Sequence, residues 1–346
     1  MTHSILFGAL ASLCARSWEA PVIDLSCFGD HPGDKCGGEA SKLLRAASES
    51  GGGAFVLRGH GVDDDFIDSV LSSARRLFTD VDASEKERLS IIGDGLTRGY
   101  VPLGRESGSD REEIKEAFSY GYDWPEGHKS FANKLQGPNV WPAGISAEDK
   151  RVLNEWFGHA TRLGLSLARA FSSALVYREF FDISPWKEMT VQVTRLLEAP
   201  LILIGDSSLS FSRKRGVDGL EVQDSETGRY HPLPNDRASR MVVNVGDFAS
   251  IMSGGKLHSP VHRVVSPKKA AERISLVHFY YPNYNTTLEG LLDTDAAERT
   301  SLLADQKAGG VSGWIAEDGH MMAFGDFISA KWSQVYRPRS RPDEEL

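Results

Sequence analysis

The stretch HSPVHRVVSPKKAAERISLVHFYYPN, residues 258–283, decides the fold. Two runs within it, SPVHRVVS and RISLVHFYYP, concentrate β-branched and aromatic residues in short blocks, as strands do. His262 lies in the first run. Arg273 heads the second, eleven positions later, and Ser275 follows two residues on. Residues two apart on a strand share a face, so Arg273 and Ser275 point the same way. The run is otherwise apolar, and an inward arginine there is costly unless an anion neutralises it. A carboxylate is the natural counterpart, because the planar guanidinium offers it two parallel hydrogen bonds and keeps its charge. Ser275 is then a helper at an anion site; its plainer reading is a small core residue.

Outward from this stretch, the C-terminal half predicts many short strands. MTVQVTRLL, LILIGDSS, GLEVQD, RYHPLP and RMVVNVGDFASIMSGG alternate or are β-branched, with Gly, Pro, Asn and Asp turns between them. Such spacing predicts a sandwich or barrel. The N-terminal half reads differently. PVIDLSCF (21–28) and GAFVLRGHGV predict strands, and EASKLLRAASESGG predicts a helix ending at glycines. DDDFIDSVLSSARRLFTDV predicts an amphipathic helix with acids at its N-terminus, where the helix dipole favours them, and with Phe66, Val70, Leu77 and Phe78 on its apolar face. ASEKERLSII predicts a short helix, TRGYVPLGRE a loop, and DREEIKEAFSYGYDWP a charged helix running into an aromatic turn. The longest helical pattern opens at Ser146 with Asp149 as its capping partner. Two further helical patterns, TDAAERTSLLADQK and FGDFISAKWSQVYR, precede the tail.

The 346 residues, 40% hydrophobic and 25% charged, have a globular composition and suffice for a large core. The net charge of -9 argues against nucleic-acid or anionic-membrane partners, and no stretch is apolar enough to span a bilayer. The three cysteines, Cys14, Cys27 and Cys36, show neither metal-ligand spacing nor a disulfide framework, which points to a reducing, cytoplasmic setting. The alternative is an N-terminal signal or transit peptide in MTHSILFGALASLCARSWEA, which lacks a basic start.

Taken in order, PVIDLS, GGAFVLRGHGV, EKERL, TRGYVPLGRE, KEAFSYGYDWP, PNVWP, GLEV, VVNVGDFASIMSGG, SPVHRVV and RISLVHFYYP resemble the isopenicillin-N-synthase-like group of the 2-oxoglutarate/Fe(II)-dependent dioxygenases, over about residues 21–337. The resemblance implies a mainly β fold with flanking helices: a double-stranded β-helix (jelly-roll) core and a helical N-terminal region. The expected division is an extension 1–20, an N-terminal α/β region 21–145, a long helix and connector 146–188, the jelly-roll core 189–285, a C-terminal helical region 286–337 and a disordered tail 338–346.

The family's function implies Fe(2+), 2-oxoglutarate and O2, and oxidation of a small organic molecule by hydroxylation or desaturation. Two imidazoles and a carboxylate on one face of the metal leave positions open for co-substrate and O2. Carried over residue by residue, His262 is a metal ligand, Arg273 and Ser275 hold the far carboxylate of 2-oxoglutarate, and Asp206 is the carboxylate ligand. Asp206 also has a plainer reading as a turn cap in GDSS. The first imidazole is missing, because its place in the family's His-x-Asp is Ile204. The family's Tyr-Pro reads Ala199-Pro200, and the loop that normally follows is almost absent. These departures cluster, as one event such as a misplaced splice would leave them. His258 and His231 are candidate replacements whose plainer reading is ordinary core or surface histidine. The alternative function is a catalytically impaired relative that keeps the barrel as a binding or scaffold module. Substrate and oligomeric state are not written in the sequence.

Overall fold

The computed structural model describes residues 18–28, 36–91, 98–103, 116–123, 138–175, 190–198, 209–216, 219–234, 240–253, 255–265, 273–286 and 323–335. Eleven strands are found among them: β1 (Val22–Asp24), β2 (Ala54–Arg58), β3 (Gly99–Val101), β4 (Glu116–Tyr120), β5 (Thr190–Glu198), β6 (Leu209–Gly216), β7 (Leu220–Gln223), β8 (Tyr230–Pro232), β9 (Met241–Val245), β10 (His262–Val264) and β11 (Arg273–Asn283). The helices are α1 (Glu39–Ala47), α2 (Asp64–Thr79), α3 (Ala83–Arg88), α4 (Ala147–Leu175), α5 (Asp247–Met252) and α6 (Phe324–Val335). Eight strands form one sheet in the order β1-β2-β9-β6-β11-β5-β4-β3, in which only β1 and β2 run parallel. Three form a smaller antiparallel sheet, β10-β7-β8.

The large sheet carries helices on one face. Phe157 of α4 meets the His278 ring of β11 at 5.8 Å, Tyr120 of β4 donates to the Leu153 carbonyl of α4 at 2.9 Å, and Phe55 of β2 meets Phe171. Gly164 lets α4 approach closely, since a Cβ there would collide with the Tyr280 ring. His278 is fully buried on this side, and burial pushes its imidazole down to about 3, so it is a neutral core residue. The opposite face of the sheet presents Ala54 and Val242, which pack with Val222 and Leu233 of the small-sheet region. The small sheet therefore covers the face that the helices leave open.

α2 opens on Asp63, whose side chain accepts from the Phe66 N–H, and buries Ile67, Val70, Leu71, Ala74, Leu77 and Phe78. α2 and α4 are joined by Arg76 and Asp149. Arg76 Nε lies 3.0 and 3.2 Å from the two Asp149 oxygens, and its NH2 group donates to Asp149 as well. Asp149 also serves the expected cap, its N–H donating to Ser146 Oγ at 3.0 Å and Ser146 Oγ donating back at 2.6 Å. Burial alone would raise the Asp149 carboxyl, but hydrogen bonds from Arg76, Ser146 and Ser73, with the Arg76 charge, hold it below the ordinary carboxylate value.

A folded-state pKa below the unfolded one means stability present above the unfolded value and lost as pH falls through the folded one. Asp149→Ala should lose about 2 kcal/mol, an N-cap plus a charge-assisted bond discounted because Arg76 is half exposed. Thermal unfolding should show this difference at pH 7, and it should narrow as the pH falls below about 4. Equal midpoints for the two proteins at pH 7 would remove the staple.

Four expectations need correcting. Residues 99–101, expected in a loop, form the edge strand β3 on β4. Residues 116–120, expected to continue a charged helix, form β4, because pairing on both sides outweighs the helical look of the preceding charges. In VVNVGDFASIM the strand stops at Val245 and helix α5 begins at Asp247. Cys27 and Cys36, expected to be unpaired, form a disulfide with Cα atoms 5.2 Å apart. The short 3-10 turn Leu25–Phe28 swings the chain off β1 and brings Cys27 beside the start of α1, a proximity that spacing alone does not reveal. The disulfide also removes the cysteine argument for a reducing compartment. No helix among the described residues is long and apolar enough to cross a membrane. The segments LILIGDSS and TDAAERTSLLADQK and the tail lie outside the described residues.

Candidate functional site

β11 runs through the middle of the large sheet, so both its faces are buried. His278 and Tyr280 meet α4, and alternation sends Arg273, Ser275, Val277, Phe279 and Tyr281 to the opposite, inner face. The ring contact of Phe279 with Tyr281 and that of Tyr281 with Phe324 of α6 agree with this assignment. Arg273 is 5% exposed and Ser275 4%. A guanidinium and a hydroxyl thus share the inner face at the start of β11, as their spacing predicts.

His262 is the first residue of β10. Its cross-strand partner is Val222 of β7, and Val222 packs against Ala54 and Val242 of the large sheet. Partners directly opposite in an antiparallel pair point to the same face, so His262 faces inward from the small sheet. Its Nδ1 is 2.9 Å from the Pro260 carbonyl. A carbonyl only accepts, so Nδ1 carries the proton and Nε2 keeps a lone pair. Burial pushes the imidazole below its ordinary value, while the Pro260 hydrogen bond and the Asp247 charge pull it part of the way back. A neutral ring with Nδ1 tied to a carbonyl and Nε2 available is the arrangement of a metal-binding histidine. The donor chemistry here fits a divalent metal at His262 and a carboxylate at Arg273 and Ser275.

Neither replacement histidine lies beside His262 on β10. His231 lies in the same cross-strand row, opposite Val222, but stacks on Trp18 with ring centroids 5.0 Å apart. His258 lies outside β10, and its backbone N–H donates to the Ala47 carbonyl at the end of α1 at 2.8 Å. A regular strand through 258–262 would have aligned His258 with His262; β10 begins only at His262. Asp206, Ile204 and Ala199 lie outside the described residues. Among the described residues no three His, Cys, Asp or Glu side chains cluster as a metal site.

Two inner residues escape the sequence reading. Ser119 of β4 lies between Phe118 and Tyr120, both of which contact Trp141 on the helix side, so its hydroxyl faces inward. The register sets it in one row with Arg195 of β5 and Val277 of β11. Its Oγ is buried with no hydrogen-bond partner among the described residues. The alternation A-F-S-Y within 117–120 was the available signal, hidden by the charges before it. Asp247 is the other; its acidic side chain two residues past the apolar strand MVVNV was the signal.

Comparison with known proteins follows the same geometry. Residues 20–144 match the family described as non-haem dioxygenase in morphine synthesis N-terminal, and residues 204–282 match the 2OG-Fe(II) oxygenase superfamily. Clavatol oxidase of Penicillium crustosum is 29% identical over 318 residues, covering 83% of this chain and 92% of that protein. The homoarginine-6-hydroxylase of Arabidopsis thaliana is 27% identical over 266 residues, covering 72% of this chain and 71% of its own. In structure, the chain is similar to a full-length Neurospora crassa protein solved in complex with alpha-KG, with a TM-score of 0.70 at 20% identity over 93% of this chain and 98% of that one. The second family match spans Asp206, His262, Arg273 and Ser275 together. With the N-terminal region matched ahead of it and the fold shared along nearly the whole length, the chain belongs to the 2-oxoglutarate/Fe(II)-dependent dioxygenase superfamily.

Proposed function

We propose that His262 and Asp206 hold Fe(II), that Arg273 and Ser275 hold the far carboxylate of 2-oxoglutarate, and that the substrate is a small organic molecule undergoing hydroxylation or desaturation. The chain is a 2-oxoglutarate/Fe(II)-dependent dioxygenase, an oxidoreductase that uses Fe(2+), 2-oxoglutarate and O2. The observation that carries the residue assignment is the pairing of faces: His262 looks inward from the small sheet, and the buried Arg273–Ser275 pair looks inward from the large one. Iron held by His262 and Asp206 would supply the O2 activation that couples loss of CO2 from 2-oxoglutarate, leaving succinate, to oxidation of the substrate.

The chain's own residues bind and orient. Arg273 fixes one end of the co-substrate by a charge-matched fork, so that its other end is directed away from β11. His262 offers the Nε2 lone pair. The apolar inner neighbours Val277 and Phe279 keep water from the same face. A jelly-roll reading of the two sheets is supported by their facing arrangement and by the solved relatives of the same fold. The names clavatol oxidase and homoarginine-6-hydroxylase support a small-molecule oxidation here, as does the buried Ser119 hydroxyl, which has no hydrogen-bond partner among the described residues, on the inner face that Arg273 and Ser275 share. The relatives' names lend no support to a scaffold role without catalysis.

The test measures succinate release from purified protein at saturating Fe(II). Succinate should form only when Fe(II), 2-oxoglutarate and O2 are all present. His262→Ala should lose both succinate release and metal binding by equilibrium dialysis. Unchanged metal binding by His262→Ala would overturn the assignment.

A further inference from the structure

The segment that presents His262 is tied down at successive residues. The His258 N–H donates to the Ala47 carbonyl at 2.8 Å. The Ser259 side chain hydrogen-bonds the Asp247 carboxylate, with the hydroxyl as donor. Pro260 is buried, and its carbonyl accepts from His262 Nδ1 at 2.9 Å. Asp247 is held in turn by the turn between β9 and α5, and it is near enough for its charge to act on His262.

We propose that Asp247 is a positioning residue for His262, acting through Ser259 on the orientation of the imidazole. The chain of contacts runs from Asp247 to Ser259, through the peptide to the Pro260 carbonyl, and from that carbonyl to Nδ1. The carbonyl selects the ring's tautomer and aim only if it is itself fixed, and Pro260 is adjacent to the anchored serine. Burial raises the Asp247 carboxyl while the Ser259 hydrogen bond and His262 pull it back; in its ionised form Asp247 also favours a more electron-rich imidazole. Outer partners of metal-binding histidines work by these two routes, and their loss typically weakens metal binding by roughly 10–100-fold.

The inference rests on His262 being a metal ligand, and the experiment separates the two ideas. Mn(II) binding is measured by the EPR signal of free Mn(II) on the full chain, in the parent and in four variants. His262→Ala tests the ligand reading alone; if it binds Mn(II) as the parent does, that reading fails. If it loses Mn(II), the positioning idea is judged by the others. Asp247→Ala and Ser259→Ala should each weaken Mn(II) by roughly 10-fold or more. Asp247→Asn, which keeps an acceptor for Ser259, should recover part of the loss.

A purely structural role would share that partial rescue but would leave unchanged the imidazole nitrogen NMR of metal-free protein, in which His262 should be protonated at Nδ1 in the parent and a tautomer mixture in Ser259→Ala. Should Asp247→Ala fail to fold, Ser259→Ala decides. Weaker Mn(II) at an unchanged thermal midpoint supports the proposal; Mn(II) affinity within twofold of the parent overturns it.

Discussion

Arg273→Leu should raise the 2-oxoglutarate Kd by roughly 150-fold, a loss of about 3 kcal/mol, the upper range for a hydrogen bond to a charged group. The size follows from where the arginine sits. It is 5% exposed and faces the interior between the sheets, so water cannot readily replace it as partner to the incoming carboxylate. A surface arginine in the same role would matter far less, because solvent would screen the pair. Arg273→Lys keeps the charge but loses the planar fork, and it should fall between parent and Leu. Ser275→Ala should cost about 1 kcal/mol, since only a neutral hydroxyl is removed. Isothermal titration with 2-oxoglutarate in the presence of Mn(II) measures all three. An Arg273→Leu protein that binds 2-oxoglutarate as the parent does would end this assignment.

Why the placement of Arg273 was legible while the proposed link of Asp247 to His262 was not is a matter of period and distance. The run RISLVHFYYP has a strand's composition, and two-residue periodicity alone puts Arg273 and Ser275 together. That shared face holds in the fold because β11 is paired on both sides and cannot slip without turning every side chain over. The proposed role of Asp247 rests on contact across helix α5 and the chain after it, to Ser259 and His262. No periodicity relates those positions.

The same distinction explains the other differences. α2 and α4 are long enough for their apolar stripes to be read directly, and the Ser146–Asp149 cap is local. β3 and β4 are short, and β4 follows a charged run; their strand character comes from pairing with each other and with β5. Cys27 and Cys36 are brought together by a turn after β1 that neither cysteine announces. His258 resembled a second inward histidine only on the assumption of a continuous strand. The strand begins at His262, and the preceding backbone is committed to α1. Local order is carried by local pattern, whereas the proposed site draws on segments far apart in the sequence.

The remaining expectation turns on a single side chain. The chain as written should bind Fe(II) weakly and release succinate slowly, and Ile204→His should raise its iron affinity by roughly 100-fold or more. Isoleucine has no lone pair to donate and places an apolar group where the family has an imidazole. Loss of an outer partner of a ligand already weakens metal binding by roughly 10–100-fold, so restoring a direct ligand should gain at least the upper end of that range. Among the replacements suggested by sequence, the His231 ring is stacked on Trp18, and the His258 backbone is tied to α1, outside the strand that carries His262. Succinate release should rise together with iron occupancy, since a third protein ligand also fixes which positions stay open to 2-oxoglutarate and O2. Fe(II) titration under anaerobic conditions, followed by succinate release on admitting O2, compares parent and Ile204→His directly. Tight, stoichiometric iron with steady succinate production in the parent would show that another residue completes the site. His231→Ala and His258→Ala would then be the first variants in which to look for its loss.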